Sequence, residues 1–408
     1  MVRGYHRTEI RGEEVPLEGP ILLVQNHSNG LCDAHFPLAA TPRPIRLLVK
    51  YKLMKMPFIG WILRTTRAVP MYRKKDGVDT RQNASSFEAI DEALHERTII
   101  ALFPEGESLN AIGLRSLRSG VGRMAVSAVE TFEGDLGLMV VPIGVTYEDR
   151  DRYRCLASVV IGPPIHVGDI VSEIPVEETR PRITAVMRVI RSSMRDLIPN
   201  AESQDEYDAM VALERLLPRD DTPLGLRRKR ALEILRRDTS AEAEARATSI
   251  VKLAAPLAAG RLCGDDLMGE APGLGATLRP LIYLVPLLAI GILTWGLPMP
   301  FGWMVSRMRK SPDKLVTMRM MFSFAGLLVW VPIMLLVGAL AQGWVGVLTA
   351  AAIAVASILT FPAVMDGLRG VKARLLHRSI AANEEALGSY RDSITSIRRA
   401  YGGAHGPA

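Results

Sequence analysis

A histidine and an aspartate stand close together in a polar loop near the start of the chain. His27 and Asp33 belong to residues 23–33, where an apolar run passes directly into polar residues. Histidine is the side chain best suited to accept a proton near neutral pH, and a carboxylate behind the imidazole fixes its tautomer and stabilises the cation that forms. The pair therefore has the residue types needed to deprotonate an alcohol as it attacks an acyl thioester.

A second polar stretch follows another apolar run. Glu105 and Gly106 come directly after residues 98–103, and Arg115 and Arg118 precede a helical pattern. Glycines, the start of a helix and arginines together favour the binding of an anion.

The positive charge of the chain is consistent with several anionic partners. The net charge of +7 and the pI near 9.4 fit anionic lipid, phosphorylated substrates or nucleic acid, and charge alone does not choose among them. Arg73 closes a third apolar run, where its planar guanidinium can bind a phosphate or stand as an exposed arginine at a strand end.

Two other chemistries are open to the first loop. Cys32 and His27 have the atoms for a cysteine acyl-enzyme, because thiolates attack thioesters well. His27, Cys32 and His35 supply three candidate metal ligands, but no fourth is evident and His35 precedes an apolar stretch, which favours packing. The three cysteines are widely spaced, so we expect neither a disulfide framework nor a paired zinc site. No cofactor is predicted.

The elements that must position these residues alternate between short apolar runs and helical patterns up to about residue 200. This alternation predicts an α/β domain, with the polar loops 26–33 and 104–113 each directly after a strand. The predicted strands are residues 21–25, 45–49, 68–72, 98–103 and 138–147, and the predicted helices between them are residues 80–96 and 117–130.

Residues 201–275 are charged and rich in alanine, leucine and arginine, which predicts a helical connector. Helices are expected at 224–238 and at 241–255, where Pro256 should end the second one. The basic run 227–230 is interpreted as a solvated helix face that, beside membrane segments, could also contact lipid headgroups.

Two long stretches without charge predict a membrane region at 276–368. Hydrophobic residues make up 48% of the chain, and residues 320–365 are long enough to cross a bilayer twice, with a turn at 342–344. We therefore expect a transmembrane hairpin of residues 321–341 and 345–362.

The flanking charges predict how this region is oriented. The basic loop 307–319 and the basic helical tail 369–408 should both be cytoplasmic, so residues 280–303 are expected to form a re-entrant or in-plane segment that does not cross. Residues 1–12 lack the apolar core of a signal peptide, so we expect an integral membrane protein with its catalytic domain on the cytoplasmic face.

Four blocks in a fixed order give the sequence a family resemblance. These are the loop from His27 to Asp33, residues 58–61 with the run ending at Arg73, residues 103–106, and the strand 140–144. Together they resemble the glycerolipid acyltransferase family of 1-acylglycerol-3-phosphate and glycerol-3-phosphate acyltransferases, the PlsC-like proteins. The first block is most similar to the variant of the yeast-type glycerol-3-phosphate/dihydroxyacetone-phosphate acyltransferases, which Asn29 matches.

The resemblance implies a fold, an activity and site roles. It implies a catalytic domain at 1–200 with a mixed sheet flanked by helices, which moves a fatty acyl group from acyl-CoA or acyl carrier protein to glycerol 3-phosphate or 1-acylglycerol 3-phosphate in phospholipid biosynthesis. The implied partners are these substrates and membrane lipids, and no nucleic acid. The implied site residues are His27 as general base, Asp33 as its partner, and Asn29, Lys50, Arg73, Glu105, Gly106 and Arg118 for substrate binding.

One departure from the family pattern leaves the identity of the acyl acceptor undecided. Glu107 and Ser108 stand where many relatives have Thr-Arg, so that Arg115 or Arg118 would have to replace a phosphate contact. The alternatives are a different alcohol or an amine acceptor, or a membrane lipid-binding scaffold with an inactive site.

Overall fold

The computed structural model describes residues 6–73, 76–108, 111–131, 137–307 and 315–402. Parts of the predicted loops 104–113 and 307–319, and the end of the predicted tail 369–408, lie outside these residues.

One mixed sheet forms the centre of the N-terminal part. Among the described residues its strands run in the order β1-β7-β6-β2-β5-β3-β4, and β8 also pairs with β6. The central strands β2, β5 and β6 are parallel, whereas β7 and β8 run antiparallel to β6, which confirms the prediction of a mixed sheet. The strands are β1 Arg7–Gly12, β2 Ile21–Gln25, β3 Ile45–Lys50, β4 Val69–Met71, β5 Ile99–Leu102, β6 Met139–Tyr147, β7 Leu156–Ile161 and β8 Ile165–His166.

Helices cover the sheet, so its central strands are apolar on both faces. Leu22 and Val24 of β2 point into one buried cluster, whereas Ile21 and Leu23 point into another. A strand buried on both faces therefore appears in the sequence as a continuous apolar run. The helices of this part are α1 His35–Ala40, α2 Tyr51–Met54, α3 Pro57–Thr65, α4 Asn83–His95, α5 Gly120–Thr131, α6 Val167–Val171 and α7 Thr179–Leu197.

The register of the sheet brings the two polar loops to one edge. Val24 lies opposite Leu102 of β5 on one side and Pro142 of β6 on the other. Because β2 and β5 are parallel neighbours, the segments that follow them both leave the sheet at its carboxyl edge, where sites in such sheets form.

A helical connector follows the sheet domain, and one of its helices differs from the prediction. It comprises α8 Gln204–Leu216, α9 Leu224–Arg237, α10 Ala243–Gly260 and α11 Gly264–Met268. The expectation that Pro256 ends α10 is wrong, because the helix continues through it to Gly260. Ala254 and Leu257 on either side are buried in the connector core, and this packing outweighs the hydrogen bond that proline removes.

The apolar region is helical in its described part. It consists of α12 Leu274–Leu278, α13 Leu281–Trp295, α14 Pro298–Arg307 and α15 Leu315–Ala381, followed by the C-terminal helix α16 Glu384–Gly402. Non-helical backbone at Gln342 and Gly343 divides α15, at the residues where the sequence predicts a turn. The two halves, 315–341 and 344–381, are called the hairpin below. Their backbones come closest at Gly338 and Gly346, where a Cβ on Gly346 would lie 1.9 Å from the Gly338 carbonyl oxygen.

Within the described ranges, two helical stretches are long and apolar enough to cross a membrane, Leu274–Trp295 and Met318–Ala381. Only 17% and 6% of their most apolar windows are buried inside the protein, so most of these apolar side chains face outwards. Exposed apolar surface of this extent suggests association with a membrane. The segment predicted at 280–303 forms α13 and α14, which are separated at residues 296–297.

Candidate active site

The loop that follows β2 brings the predicted histidine and aspartate into contact. His27 Nδ1 lies 2.9 Å from Asp33 Oδ2, and Asp33 is fully buried. Since Nδ1 faces the carboxylate, Nε2 is the nitrogen that can take a proton from a substrate. The geometry has the elements of a histidine base oriented by an acid.

Two further donors fix the carboxylate of Asp33. The backbone N–H of Asn29 donates to Oδ2 at 2.6 Å, and the hydroxyl of Tyr147 donates to Oδ1 at 2.5 Å. Tyr147 is the last residue of β6, and burial raises the pKa of its hydroxyl well above the usual value, with the Asp33 charge as a further cause. The phenol is therefore a neutral donor. Asn29 thus contacts the pair through its backbone, and sequence reasoning missed Tyr147.

The segment that follows β5 holds the imidazole from the other side. The ring of Phe103 stacks on His27 with centroids 4.0 Å apart and planes inclined by 17°. The backbone N–H of His27 donates to Glu105 Oε2 at 3.3 Å. Phe103 and Glu105 therefore help to set the position of His27.

Glu105 is a buried carboxyl group with an unusual pKa. Burial raises its pKa to about 7, although N–H bonds from His27 and Arg115 and the charge of Arg115 act in the opposite direction. Near neutral pH the group therefore exists in both protonation states, beside the backbone of the histidine.

The glycine of this loop adopts a conformation that other residues rarely adopt. Gly106 has φ of +73°, and a Cβ there would lie 2.5 Å from Nε of Arg118. Glycine therefore lets the Arg118 side chain lie across the turn.

The predicted phosphate-binding residues lie at the same edge of the sheet but already have acidic or backbone partners. Arg73 pairs with Asp76 at 2.6 Å and donates to the Gly106 carbonyl at 3.0 Å. Arg118 is 3.4 Å from Glu107, and its side chain is mostly exposed. Lys50 is the last residue of β3, two strands away from β2.

Ser108, which stands where many relatives have an arginine, contacts the loop that contains His27. Ser108 Oγ accepts the backbone N–H of Gly30 at 2.7 Å. Ser108 thus ties the segment after β5 to the loop after β2.

The alternative chemistry of Cys32 does not fit its surroundings. Its side chain is buried, and burial together with the nearby Asp33 raises the pKa of the thiol far above its usual value. A thiolate is therefore scarce at neutral pH. In the described part of the chain, no group of three or more His, Cys, Asp or Glu side chains is arranged to hold a metal ion.

One residue of the basic run on α9 is buried, which corrects the interpretation of that run as a solvated face. Arg228 is only 1% exposed, and it donates to the carbonyl oxygens of Tyr147 at 2.7 Å and of Glu148 at 3.1 Å. The helix packs against the end of β6, and the two carbonyls there accept guanidinium N–H bonds.

The hairpin contacts the protein beside the site. Cys32 Sγ lies 3.2 Å from Met320 Sδ, and Arg319 donates to the carbonyl of Asp151 at 3.1 Å. From the other half of the hairpin, Asp366 pairs with Arg154, whose Nε is 3.0 Å from Oδ2. The loop that contains His27 and Cys32 therefore lies next to the start of the exposed apolar helix α15.

Comparisons with known proteins give similarity to one family. The acyltransferase family model matches residues 7–146, which include His27, Asp33 and Glu105. Glycerol-3-phosphate O-acyltransferase 2 of Saccharomyces cerevisiae is 28% identical over 134 residues, or 33% of this chain and 18% of the yeast protein. The 1-acyl-sn-glycerol-3-phosphate acyltransferase of Pseudomonas aeruginosa is 27% identical over 166 residues, or 39% of this chain and 60% of that protein.

The matches cover only parts of these proteins. The chain spans less than two thirds of the length of either relative. Among solved structures, the 1-acyl-sn-glycerophosphate acyltransferase PlsC of Thermotoga maritima is similar with a TM-score of 0.33 and 18% identity, covering 46% of this chain and 70% of that one.

Proposed function

We propose that this protein moves a fatty acyl group from an acyl thioester to a hydroxyl of glycerol 3-phosphate or 1-acylglycerol 3-phosphate. The match of residues 7–146 to the acyltransferase family model supports the proposal. The observation that carries the proposal is the contact between His27 and the buried Asp33, with Glu105 beside it. The matched relatives from yeast and from Pseudomonas aeruginosa are named for these two acceptors.

The geometry supports a direct transfer without a covalent enzyme intermediate. Nε2 of His27 takes the proton of the acceptor hydroxyl while its oxygen attacks the thioester carbonyl carbon. Asp33 stabilises the imidazolium that forms. The carbon–sulfur bond then breaks, and the imidazolium returns the proton to the leaving thiolate. The products are an ester and a free thiol.

Membrane attachment suits an enzyme whose product is a lipid. In this proposal the hairpin crosses the bilayer, α13 and α14 lie within it without crossing, and the catalytic domain is on the cytoplasmic face. The contact of Cys32 with Met320 supports a site next to the bilayer surface. The acylated product can then pass into the lipid as it forms. The donor is acyl-CoA or acyl carrier protein carrying a fatty acyl chain.

The remaining sequence-predicted residues have supporting roles in this proposal. Glu105 and Gly106 border the acceptor hydroxyl. Asn29 orients Asp33 through its backbone N–H, for which the 2.6 Å contact is the support. Lys50, Arg73 and Arg118 are candidates to attract the anionic substrates to this edge of the sheet.

The test is acyl transfer by the full chain in detergent solution. Labelled long-chain acyl-CoA and acyl carrier protein are offered with glycerol 3-phosphate, 1-acylglycerol 3-phosphate and a non-phosphorylated alcohol. We expect preference for a phosphorylated acceptor and a loss of roughly 10²- to 10⁴-fold in kcat for His27→Ala, the usual contribution of a general base.

The matched control is His166→Ala, because His166 is exposed and ends the short strand β8. It should retain wild-type activity, and both variants should still bind lipid vesicles. Equal activity of His27→Ala and the wild type would contradict the assignment to this pair.

A further inference from the structure

A cavity with several charged side chains in its wall lies between the carboxyl edge of the sheet and the connector helices. Its volume is about 620 Å³, which is in the range of small-molecule sites. His27 and Glu105 line it on the side of the sheet. Five arginines line it as well, namely Arg150, Arg152, Arg215, Arg228 and Arg261.

Two of these arginines are neutralised within their own loop. Arg152 pairs with Asp149 at 3.0 Å, and Arg150 lies 3.4 Å from Asp151 and donates to the Ser28 carbonyl. These contacts hold the loop after β6 and leave little charge for a ligand.

The other three arginines come from the connector and bond to backbone oxygens. Arg215 donates to the carbonyl of Leu262 at 3.0 Å, and Arg261 to that of Arg154 at 3.3 Å. Arg228 donates to two carbonyls at the end of β6. Across the described residues, none of the three has a carboxylate within ion-pair distance.

One carboxylate in the cavity wall responds to this charge. Burial alone would raise the pKa of Glu148, but the N–H of Leu156 and the charges of Arg261 and Arg215 outweigh it and lower the pKa. Arg261 and Arg215 therefore share one ionised carboxylate, which also pairs with Arg7 at 3.9 Å. Positive charge on the connector side of the cavity remains to be balanced.

Arg228 adds an unsatisfied donor to the unbalanced charge. Its side chain is 1% exposed, and its Nε is buried without a hydrogen-bond acceptor in the part of the chain that the structure describes. A buried donor without a partner costs roughly 1–3 kcal/mol, and more when it belongs to a charged group. An anion that enters the cavity would supply both acceptor oxygens and negative charge.

We propose that Arg215, Arg228 and Arg261 form a subsite for the phosphate group of a substrate. The connector contributes this subsite to the active site of the catalytic domain. A phosphate group carries the negative charge that the connector side of the cavity lacks, and its oxygens suit guanidinium groups. This proposal rests on the proposed function, because it names how that site holds its phosphorylated substrate.

The position of the cavity favours the acceptor as the source of the phosphate. His27 and Glu105 line the same space, so an acceptor whose phosphate contacts the connector can present its hydroxyl to the histidine. Arg73 and Arg118 do not line this cavity, and each faces an acidic side chain.

The kinetic experiment uses the full chain with Arg261→Gln and Arg215→Gln. Arg228 stays unchanged, because its two bonds hold the end of β6. The matched control is Arg230→Gln on the same helix as Arg228, since Arg230 pairs with Asp220 outside the cavity. Arg73→Gln tests whether the phosphate binds instead at Arg73, the position that the sequence predicts.

We expect both cavity variants to raise KM for the phosphorylated acceptor by roughly 10- to 100-fold, the effect of losing a charge-assisted hydrogen bond. KM for acyl-CoA and the rate with a non-phosphorylated alcohol should stay unchanged, as should all constants of Arg230→Gln. Arg261→Lys should recover part of the loss. Unchanged acceptor KM in both cavity variants would overturn the proposal. A rise confined to KM for acyl-CoA would assign the phosphate to the donor and overturn the acceptor assignment.

A binding experiment separates this proposal from the proposed function. Inorganic phosphate and glycerol 3-phosphate should raise the Tm of the wild type in detergent, glycerol should not, and Arg261→Gln and Arg215→Gln should lose the effect. If the wild type transfers no acyl group but shows this pattern, the proposed function fails and the subsite stands. If phosphate stabilises the wild type and both variants equally, or does not stabilise the wild type, the subsite is rejected whatever the activity.

Discussion

At the scale of single residues, the site depends on how one buried carboxylate is satisfied. Asp33 contacts His27, the backbone of Asn29 and the hydroxyl of Tyr147. These donors keep the carboxylate oriented, and the tyrosine remains neutral because burial raises its pKa. The imidazole is thus held by an acid that cannot rotate away without losing three contacts.

Glu105 gives the folded protein a pH dependence that one substitution should remove. Burial raises its pKa from 4.5 to about 7, so the folded state binds this proton more tightly than the unfolded state. The stabilisation from the proton is fully present below pH 4.5 and is lost as the pH rises through 7, a change of about 3 kcal/mol. Glu105→Gln should therefore keep its Tm between pH 5 and pH 8 better than the wild type does.

The measurement is Tm in detergent across this pH range for both proteins. The control is Glu233→Gln, an exposed position on α9, which should follow the wild type. Parallel curves for the wild type and Glu105→Gln would contradict the raised pKa.

At the scale of elements, each part of the chain supplies a different wall of the site. The strands β2 and β5 deliver the histidine and glutamate loops to one edge. The helix α9 brings Arg228 against the end of β6. The hairpin contacts the histidine loop at Met320, so its packing also bears on the site.

The hairpin depends on glycine at its closest approach. A side chain on Gly346 would meet the backbone of Gly338, with a Cβ only 1.9 Å from its carbonyl oxygen. Small residues let membrane helices pack this closely. Gly346→Val should therefore lower stability by about 1–3 kcal/mol or more, the usual range for overpacking, and this is measured as Tm in detergent.

The same helix offers a matched control. A Cβ on Gly370 would have no atom within 4 Å, so Gly370→Ala should be neutral or slightly stabilising. Equal Tm values for Gly346→Val and Gly370→Ala would show that the two halves do not pack at this point.

At the scale of the whole molecule, an ion pair joins the catalytic part to the apolar helices. Arg154 and Asp366 are 212 positions apart, and their side chains are 14% and 31% exposed. Asp366→Asn should weaken this junction by roughly 1–3 kcal/mol, between the values for exposed and buried pairs. The measurement is Tm of the full chain in detergent.

The control for the junction is an acid elsewhere on the surface. Asp392 is exposed on α16, so Asp392→Asn should leave Tm unchanged. The exchange Arg154→Asp with Asp366→Arg should recover part of the loss. If Asp366→Asn behaves like Asp392→Asn, the pair does not hold the two parts together.

Much of the sheet and of the apolar region followed from local sequence patterns. The strands β2 to β6 are continuous or nearly continuous apolar runs, because both faces of the sheet are covered, and the break in α15 falls at the predicted turn. Three of the described strands were not predicted. The edge strand β1 is partly exposed and lacks such a run, and β8 has only two residues. The strand β7 was missed although it is buried and largely apolar. Local pattern also failed at Pro256, where burial of its neighbours keeps α10 intact.

The sequence by itself determined which residues could carry the chemistry, since His27 and Asp33 share one loop and Glu105 follows a strand. Only the tertiary structure decided what surrounds them. Tyr147 reaches Asp33 across 114 positions, and Arg228 turns from an apparent surface charge into a buried one when α9 packs on β6. These contacts join segments that are far apart in the sequence, and no local pattern links them. The burial of these side chains and the balance of their charges therefore arise only when the chain folds.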